Sequence, residues 1–161
     1  MSKYTAEQIE RRQKSPWTIV QIIGAPIQLL VFIVSAIFVI YSLISDGKGF
    51  DITNITILVK IAVLYFMFIT GMFWEKDVFG KYYLSPEFFW EDVVSTILLT
   101  THTAYLIALL AGAPKTALLI VIIIAYINYL INALQYFVKY WRNRQKRGRP
   151  HLEPEPVGRK A

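Results

Sequence analysis

Four long stretches of this chain are almost free of charge, and this restricts its fold more than any other feature. Ser15 to Ser45 holds no charged residue and Ile52 to Trp74 holds only Lys60. Val93 to Pro114 and Thr116 to Val138 hold none. An α-helix rises about 1.5 Å per residue, so about 20 such residues cross the roughly 30 Å hydrocarbon core of a bilayer. Each stretch is long enough. None alternates with period two, and all exceed the length of a barrel strand. The expected fold is all-α, a four-helix transmembrane bundle with spans near 17–45, 52–74, 88–111 and 116–141. An arm (1–16) precedes this membrane domain (17–142). A basic, Pro/Glu-rich tail (143–161) follows and is expected to be disordered, because it lacks the apolar residues that would offset ordering entropy.

Lysine and arginine set the expected orientation. The arm carries Lys3, Arg11, Arg12 and Lys14, the middle loop Lys76 and Lys81. The tail carries Lys139, Arg142, Arg144, Lys146, Arg147, Arg149, Arg159 and Lys160. The other two loops hold only Lys48 and Lys115, so the asymmetry is fourteen against two. Both termini are therefore expected on the cytoplasmic side. The net charge of +6 reads mainly as a topology signal that also suits anionic lipid headgroups. No nucleic-acid-binding motif accompanies the basic tail, so nucleic acid is not an expected partner. The absence of cysteine excludes disulfides and thiolate metal sites. Polar residues from Ser2 to Lys14 precede an apolar run longer than a signal-peptide core, so the first helix is expected to be retained.

Local signals refine this picture. Thr5 and Gln8 have capping-box spacing and predict a short helix in the arm. Trp17 reads as an interfacial anchor. Gly24 and Pro26 are candidates for a kink in the first span. Asp46-Gly-Lys-Gly and Ala111-Gly-Ala-Pro read as outer turns. Phe73-Trp-Glu-Lys-Asp-Val is echoed by Phe89-Trp-Glu-Asp-Val across an aromatic loop.

Polar groups inside spans are costly and usually face a partner or a cavity. The third span concentrates them. Glu91, Ser95, His102 and Tyr105 fall on one helical stripe, with Asp92 about a quarter-turn away. Glu91 and His102 lie roughly 16 Å apart along the axis and cannot touch. Lys60 and His102 stand at equal depth, with Asn128 near that level and Gln28 slightly closer to the inner side. This suggests a polar floor in an apolar bundle, as ligand sites often have. Blander readings stand beside it. Lys60 can snorkel outward. Asn128, Asn132 and Gln135 can simply join helices. Glu75, Lys76 and Asp77 can be interface charges.

The ordered blocks carry more. Trp17-Thr-Ile-Val-Gln and Ala25-Pro-Ile-Gln are followed by Thr70-Gly-Met-Phe-Trp-Glu-Lys-Asp-Val-Phe-Gly. Pro86-Glu-Phe-Phe-Trp-Glu-Asp-Val-Val-Ser and His102-Thr-Ala-Tyr-Leu come next, then Ala125-Tyr with Asn132-Ala. In this order and spacing the chain, from about Tyr4 to Lys139, resembles the 3-vinyl (2-vinyl in older nomenclature) bacteriochlorophyllide hydratases. The resemblance implies a hydro-lyase of bacteriochlorophyll biosynthesis. Such an enzyme adds water to a vinyl group of a chlorophyllide-type tetrapyrrole and leaves a 1-hydroxyethyl group. It also implies the plasma membrane of a phototrophic bacterium.

Hydration needs a proton for the terminal vinyl carbon and a water for the inner one. On the matched positions Glu91 is the first candidate acid, with Asp92 or Glu75 as the base that directs water. His102 is the candidate ligand to the pigment magnesium, directly or through water. Lys60 is a candidate partner for a pigment carboxylate. Tyr65, Tyr105, Asn128, Trp74 and Trp90 are candidates for the pocket walls. The reaction is redox-neutral and no glycine-rich nucleotide loop is visible, so no separate cofactor is expected and magnesium arrives with the substrate. The protein partners that the resemblance implies are a second copy of the chain or other enzymes of the route. A pigment- or haem-binding carrier shares the same His and aromatics. A small transporter and a purely structural membrane subunit are the remaining alternatives.

Overall fold

A computed structural model describes residues 5–147 and is entirely helical and irregular over that range, with no strand among the described residues. Five helices follow in order: α1 (Ala6–Lys14), α2 (Pro16–Ile44), α3 (Phe50–Phe79), α4 (Phe89–Leu110) and α5 (Lys115–Arg147). The last four are long and apolar enough to cross a membrane. The predicted four-span bundle is thus seen as four such helices. Of the tail, 143–147 continue α5, and 148–161 lie outside the described residues.

The arm helix forms for the expected reason. The Thr5 hydroxyl accepts from the Gln8 backbone N–H at 3.2 Å, and the Gln8 side chain accepts from the Thr5 N–H at 2.9 Å. This reciprocal cap satisfies two N-terminal donors that otherwise lack partners. Glu7 with Arg11 and Glu10 with Lys14 add pairs one turn apart. A single residue, Ser15, separates α1 from α2, and Pro16 opens α2, where its missing N–H costs nothing. The α2 helix continues through Pro26 as one element.

The α2–α3 turn uses left-handed backbone at Asp46, Gly47 and Gly49. α3 ends at Gly80, whose φ of 78° suits a residue without Cβ and whose N–H caps Lys76. The last helical residue, Phe79, lies five residues beyond Trp74, so Glu75, Lys76 and Asp77 belong to the last helical turns. Lys76 and Asp77 are exposed, as interface charges are, whereas Glu75 turns inward.

Two helical hairpins result, α2 with α3 and α4 with α5. Backbones approach closely within each hairpin, while the hairpins meet mostly through long side chains. Phe32 of α2 stacks on Tyr129 of α5, ring centroids 4.3 Å apart. Ile57, Ile61, Leu64, Leu98, Tyr105 and Ile122 fill the space between. The outward faces are apolar: Ile22, Leu30, Ile37, Ile107 and Leu134 are all exposed. A patch of this extent marks a lipid-facing surface in a chain of this composition.

Candidate functional site

Four spans and one loop enclose a cleft of about 230 Å³ at the α1 end of the bundle. Gln21 of α2, Trp74 and Glu75 of α3, Asp92 and Ser95 of α4 and Tyr136 of α5 contribute to its walls, with Tyr83 and Phe88 from the loop. Met67, Phe68 and Met72 complete an apolar side. The cleft therefore has the ordinary make-up of a small-molecule site: aromatic and sulfur-bearing walls with a few polar groups.

Two carboxylates stand in it. Glu75 is 5% exposed and Asp92 is 6% exposed. The loop that connects their helices grips both. The Ser85 hydroxyl donates to Glu75 Oε2 at 2.7 Å, and the Ser85 N–H donates to the same oxygen at 3.4 Å. The Leu84 N–H donates to Asp92 Oδ2 at 2.8 Å. Leu84 holds φ at 54°, in the left-handed region that branched residues seldom adopt, so this backbone donor is aimed at some conformational expense. The Tyr83 hydroxyl donates to the Asp92 carbonyl at 2.7 Å and meets the Thr96 hydroxyl. Burial raises the Tyr83 phenol above its ordinary value of 10; the Thr96 hydrogen bond opposes this, and the Asp92 and Glu75 charges add to it. It remains a protonated donor at neutral pH.

A second polar cluster lies deeper, in contact with both hairpins. Lys60 and His102 are fully buried, and Lys60 Nζ contacts His102 Nε2. His102 Nδ1 lies 2.8 Å from the Leu98 carbonyl, so that nitrogen carries the hydrogen and Nε2 accepts from Lys60. Lys60 Nζ also sits 4.6 Å from the ring centre of Tyr129 and 5.1 Å from that of Tyr126. Tyr126 in turn meets Ser35 at 2.5 Å. Nearby, Tyr105 donates to Asn54 at 2.8 Å and Tyr65 meets Thr103 at 2.6 Å.

Equal depth thus did bring Lys60 to His102, and the Glu91–Ser95–His102–Tyr105 stripe does face inward. The structure places the individual candidates as follows. Lys60 neither snorkels nor reaches the cleft, because His102 and two tyrosine rings surround its amino group. His102 offers no nitrogen to the cleft, since both are taken by protein partners. Magnesium ligation would require Lys60 to leave. Glu91 is buried beside Asp92 but stands outside the cleft lining. Trp74 lines the cleft and donates to Thr18 at 2.9 Å, while Trp90 is 70% exposed. The two halves of the Phe-Trp-Glu echo therefore do different things. Tyr65 and Tyr105 join helices rather than wall the cleft. Asn128 is half-buried and is not in the lining. Asn132 donates to Ser95 at 3.1 Å, joining α5 to α4.

Sequence reasoning missed Tyr83, Ser85 and the Leu84 N–H. The loop was visible as aromatic-rich, but which carboxylate a loop hydroxyl meets depends on the turn. It also missed Tyr126 and Tyr129 as the Lys60 box, for which their three-residue spacing on one helical face was the available signal.

The profile of the family described as 2-vinyl bacteriochlorophyllide hydratase matches residues 4–142. A 2-vinyl bacteriochlorophyllide hydratase of Rhodobacter capsulatus is 45% identical over 144 residues, covering 89% of this chain and 82% of that one. A protein of the same name from Cereibacter sphaeroides is 44% identical over 144 residues, covering 89% and 88%. No solved structure matches the chain. With most of its length aligned at this identity, the chain belongs to the 2-vinyl bacteriochlorophyllide hydratase family.

Proposed function

We propose that this chain hydrates the vinyl substituent of a bacteriochlorophyllide-type tetrapyrrole in the cleft between α3 and α4. The observation that carries the reading is the pair Glu75 and Asp92, buried in one apolar cleft of a chain of this family. Asp92, protonated, gives its hydrogen to the terminal vinyl carbon, and the π pair forms the new C–H bond. The ring's conjugated system spreads the charge left on the inner carbon. A water attacks that carbon as Glu75 takes one of its hydrogens, so the vinyl group gains one H and one OH. The proton on Glu75 returns to Asp92 through cleft water, and the site is reset. These assignments move the acid role from Glu91 to Asp92, since a proton donor must reach the reacting carbon.

The cleft volume falls below that of a typical drug-sized site of about 300–1,000 Å³. It therefore takes the vinyl edge of the macrocycle, while the rest lies against the apolar bundle face and lipid. No cofactor is assigned, and magnesium comes as part of the substrate. The positive-inside asymmetry supports cytoplasmic termini in a bacterial plasma membrane.

The test is to incubate membranes bearing the protein with a 3-vinyl bacteriochlorophyllide in oxygen-18 water and weigh the pigment by mass spectrometry. Gain of one labelled water in a 1-hydroxyethyl group is the expected result. Pigment that co-purifies unchanged would instead make the protein a carrier.

A further inference from the structure

We propose that Ser85 is a positioning residue of the hydration site. Its hydroxyl holds Glu75 by Oε2 and leaves Oε1 as the oxygen that takes the proton of the attacking water. The inference rests on the hydratase reading above. Ser85 is fully buried in a loop whose neighbours on either side, Leu84 and Pro86, are exposed. A short polar side chain turned inward from such a loop has a specific partner, and here both its hydroxyl and its N–H go to one carboxylate oxygen. No bond to Glu75 Oε1 is present among the described residues. A carboxylate on a helix end can rotate about its last torsion, which is broad and roughly two-fold. A charge-assisted bond to one oxygen removes that freedom and leaves the other in one place. The groups facing Glu75 are then Asp92 from α4, Tyr83 from the loop and Tyr136 from α5, all in the same cleft lining.

Ser85 itself is not in that lining, so its effect passes through Glu75. Three variants separate positioning from packing. Ser85→Ala removes the hydroxyl, Ser85→Thr keeps it, and Ser85→Val matches threonine in shape without it. Each is compared for pigment turnover in membranes, after membrane insertion and melting temperature have been measured. Expected are a fall in kcat of about tenfold for Ser85→Ala and Ser85→Val, KM within about twofold, and most of the rate restored in Ser85→Thr. In the Glu75→Gln background, Ser85→Ala should slow the reaction no further, because the group it positions is gone. Equal kcat in Ser85→Val and Ser85→Thr would overturn the proposal, as would an additive loss in the double variant. Should Ser85→Ala fail to fold, the threonine–valine pair still decides. The underlying reading fails differently: if Glu75→Gln and Asp92→Asn both turn over normally, the site is elsewhere, whatever Ser85 does.

Discussion

At the scale of single residues, Glu75 and Asp92 are the two carboxylates in the cleft lining, and the proposed mechanism rests on them. Glu75→Gln and Asp92→Asn should each lower kcat by about a hundredfold or more, the usual worth of a positioned acid or base. Glu91→Gln, one position from Asp92 but outside the lining, should lose about tenfold or less. Pigment turnover by chromatography checks all three, and a Glu91→Gln variant as inactive as the other two would return the acid role to Glu91. Lys60 is a different case. It is fully buried with His102 as its hydrogen-bond partner, so its removal strands His102. Leaving a buried polar group without its hydrogen-bond partner costs about 1–3 kcal/mol, whereas replacing both partners with apolar groups of similar shape can be nearly neutral. Lys60→Met should therefore lower the melting temperature in detergent more than Lys60→Met with His102→Leu does. Equal destabilisation of the single and double variants would show that the pair contributes no coupling.

Helix packing sets the shape of the cleft, and α2 governs it from behind. Gly24 faces Met67, and a Cβ at Gly24 would overlap the Met67 sulfur and methyl. Methionine is flexible and can swing away, and Met67 is also a wall of the cleft. Alanine is worth about 1 kcal/mol over glycine inside a helix, which offsets much of the repacking cost. Gly24→Ala should thus insert and melt close to wild type while raising KM for pigment about threefold or more. An unchanged KM would mean that Met67 yields away from the cleft.

At the scale of the whole molecule, the two hairpins are tied by a few groups: Lys60 with His102, Ser35 with Tyr126, Tyr105 with Asn54 and Tyr65 with Thr103. In lipid no hydrophobic drive separates one apolar helix face from another, so interhelical hydrogen bonds and close packing bring spans together. The same bonds leave the α1 end to the loop and the cleft. The arm joins that end, because Gln8 donates to Glu87 of the loop at 3.0 Å and Ser15 donates to Asp77 at 2.7 Å. The predicted topology puts this end, and both chain termini, in the cytoplasm. Reporter fusions active only in the cytoplasm or only outside it, placed at each terminus and at Gly47 and Gly112, give the check. Cytoplasmic activity is expected at the termini and external activity at the two turns. The reverse pattern would place the carboxylate cleft at the outer face.

Four spans, the arm helix and the family were legible in the residues themselves. Length and lack of charge act locally, through the energy of moving each stretch into lipid. The capping box at Thr5 and Gln8 is likewise complete within four residues. The inward stripe of α4 and the level shared by Lys60 and His102 followed from helix geometry alone. What helix geometry leaves open is rotation and turn shape. Glu91 and Asp92 are adjacent, and the packing of α4 against α3 and α5 decides which one meets the cleft. Lys60 had two readings, outward to water or inward to a partner, and the placement of Tyr126 and Tyr129 on α5 selected the second. Ser85 had no reading from sequence, because its partner ten residues away depends on how the loop folds back over α3. The sequence by itself determined that the chain crosses the membrane as helices and to which family it belongs, since both depend on residues in order. Tertiary structure alone decided which carboxylates share a cleft and which groups hold them, because those depend on contacts between separate helices and a loop.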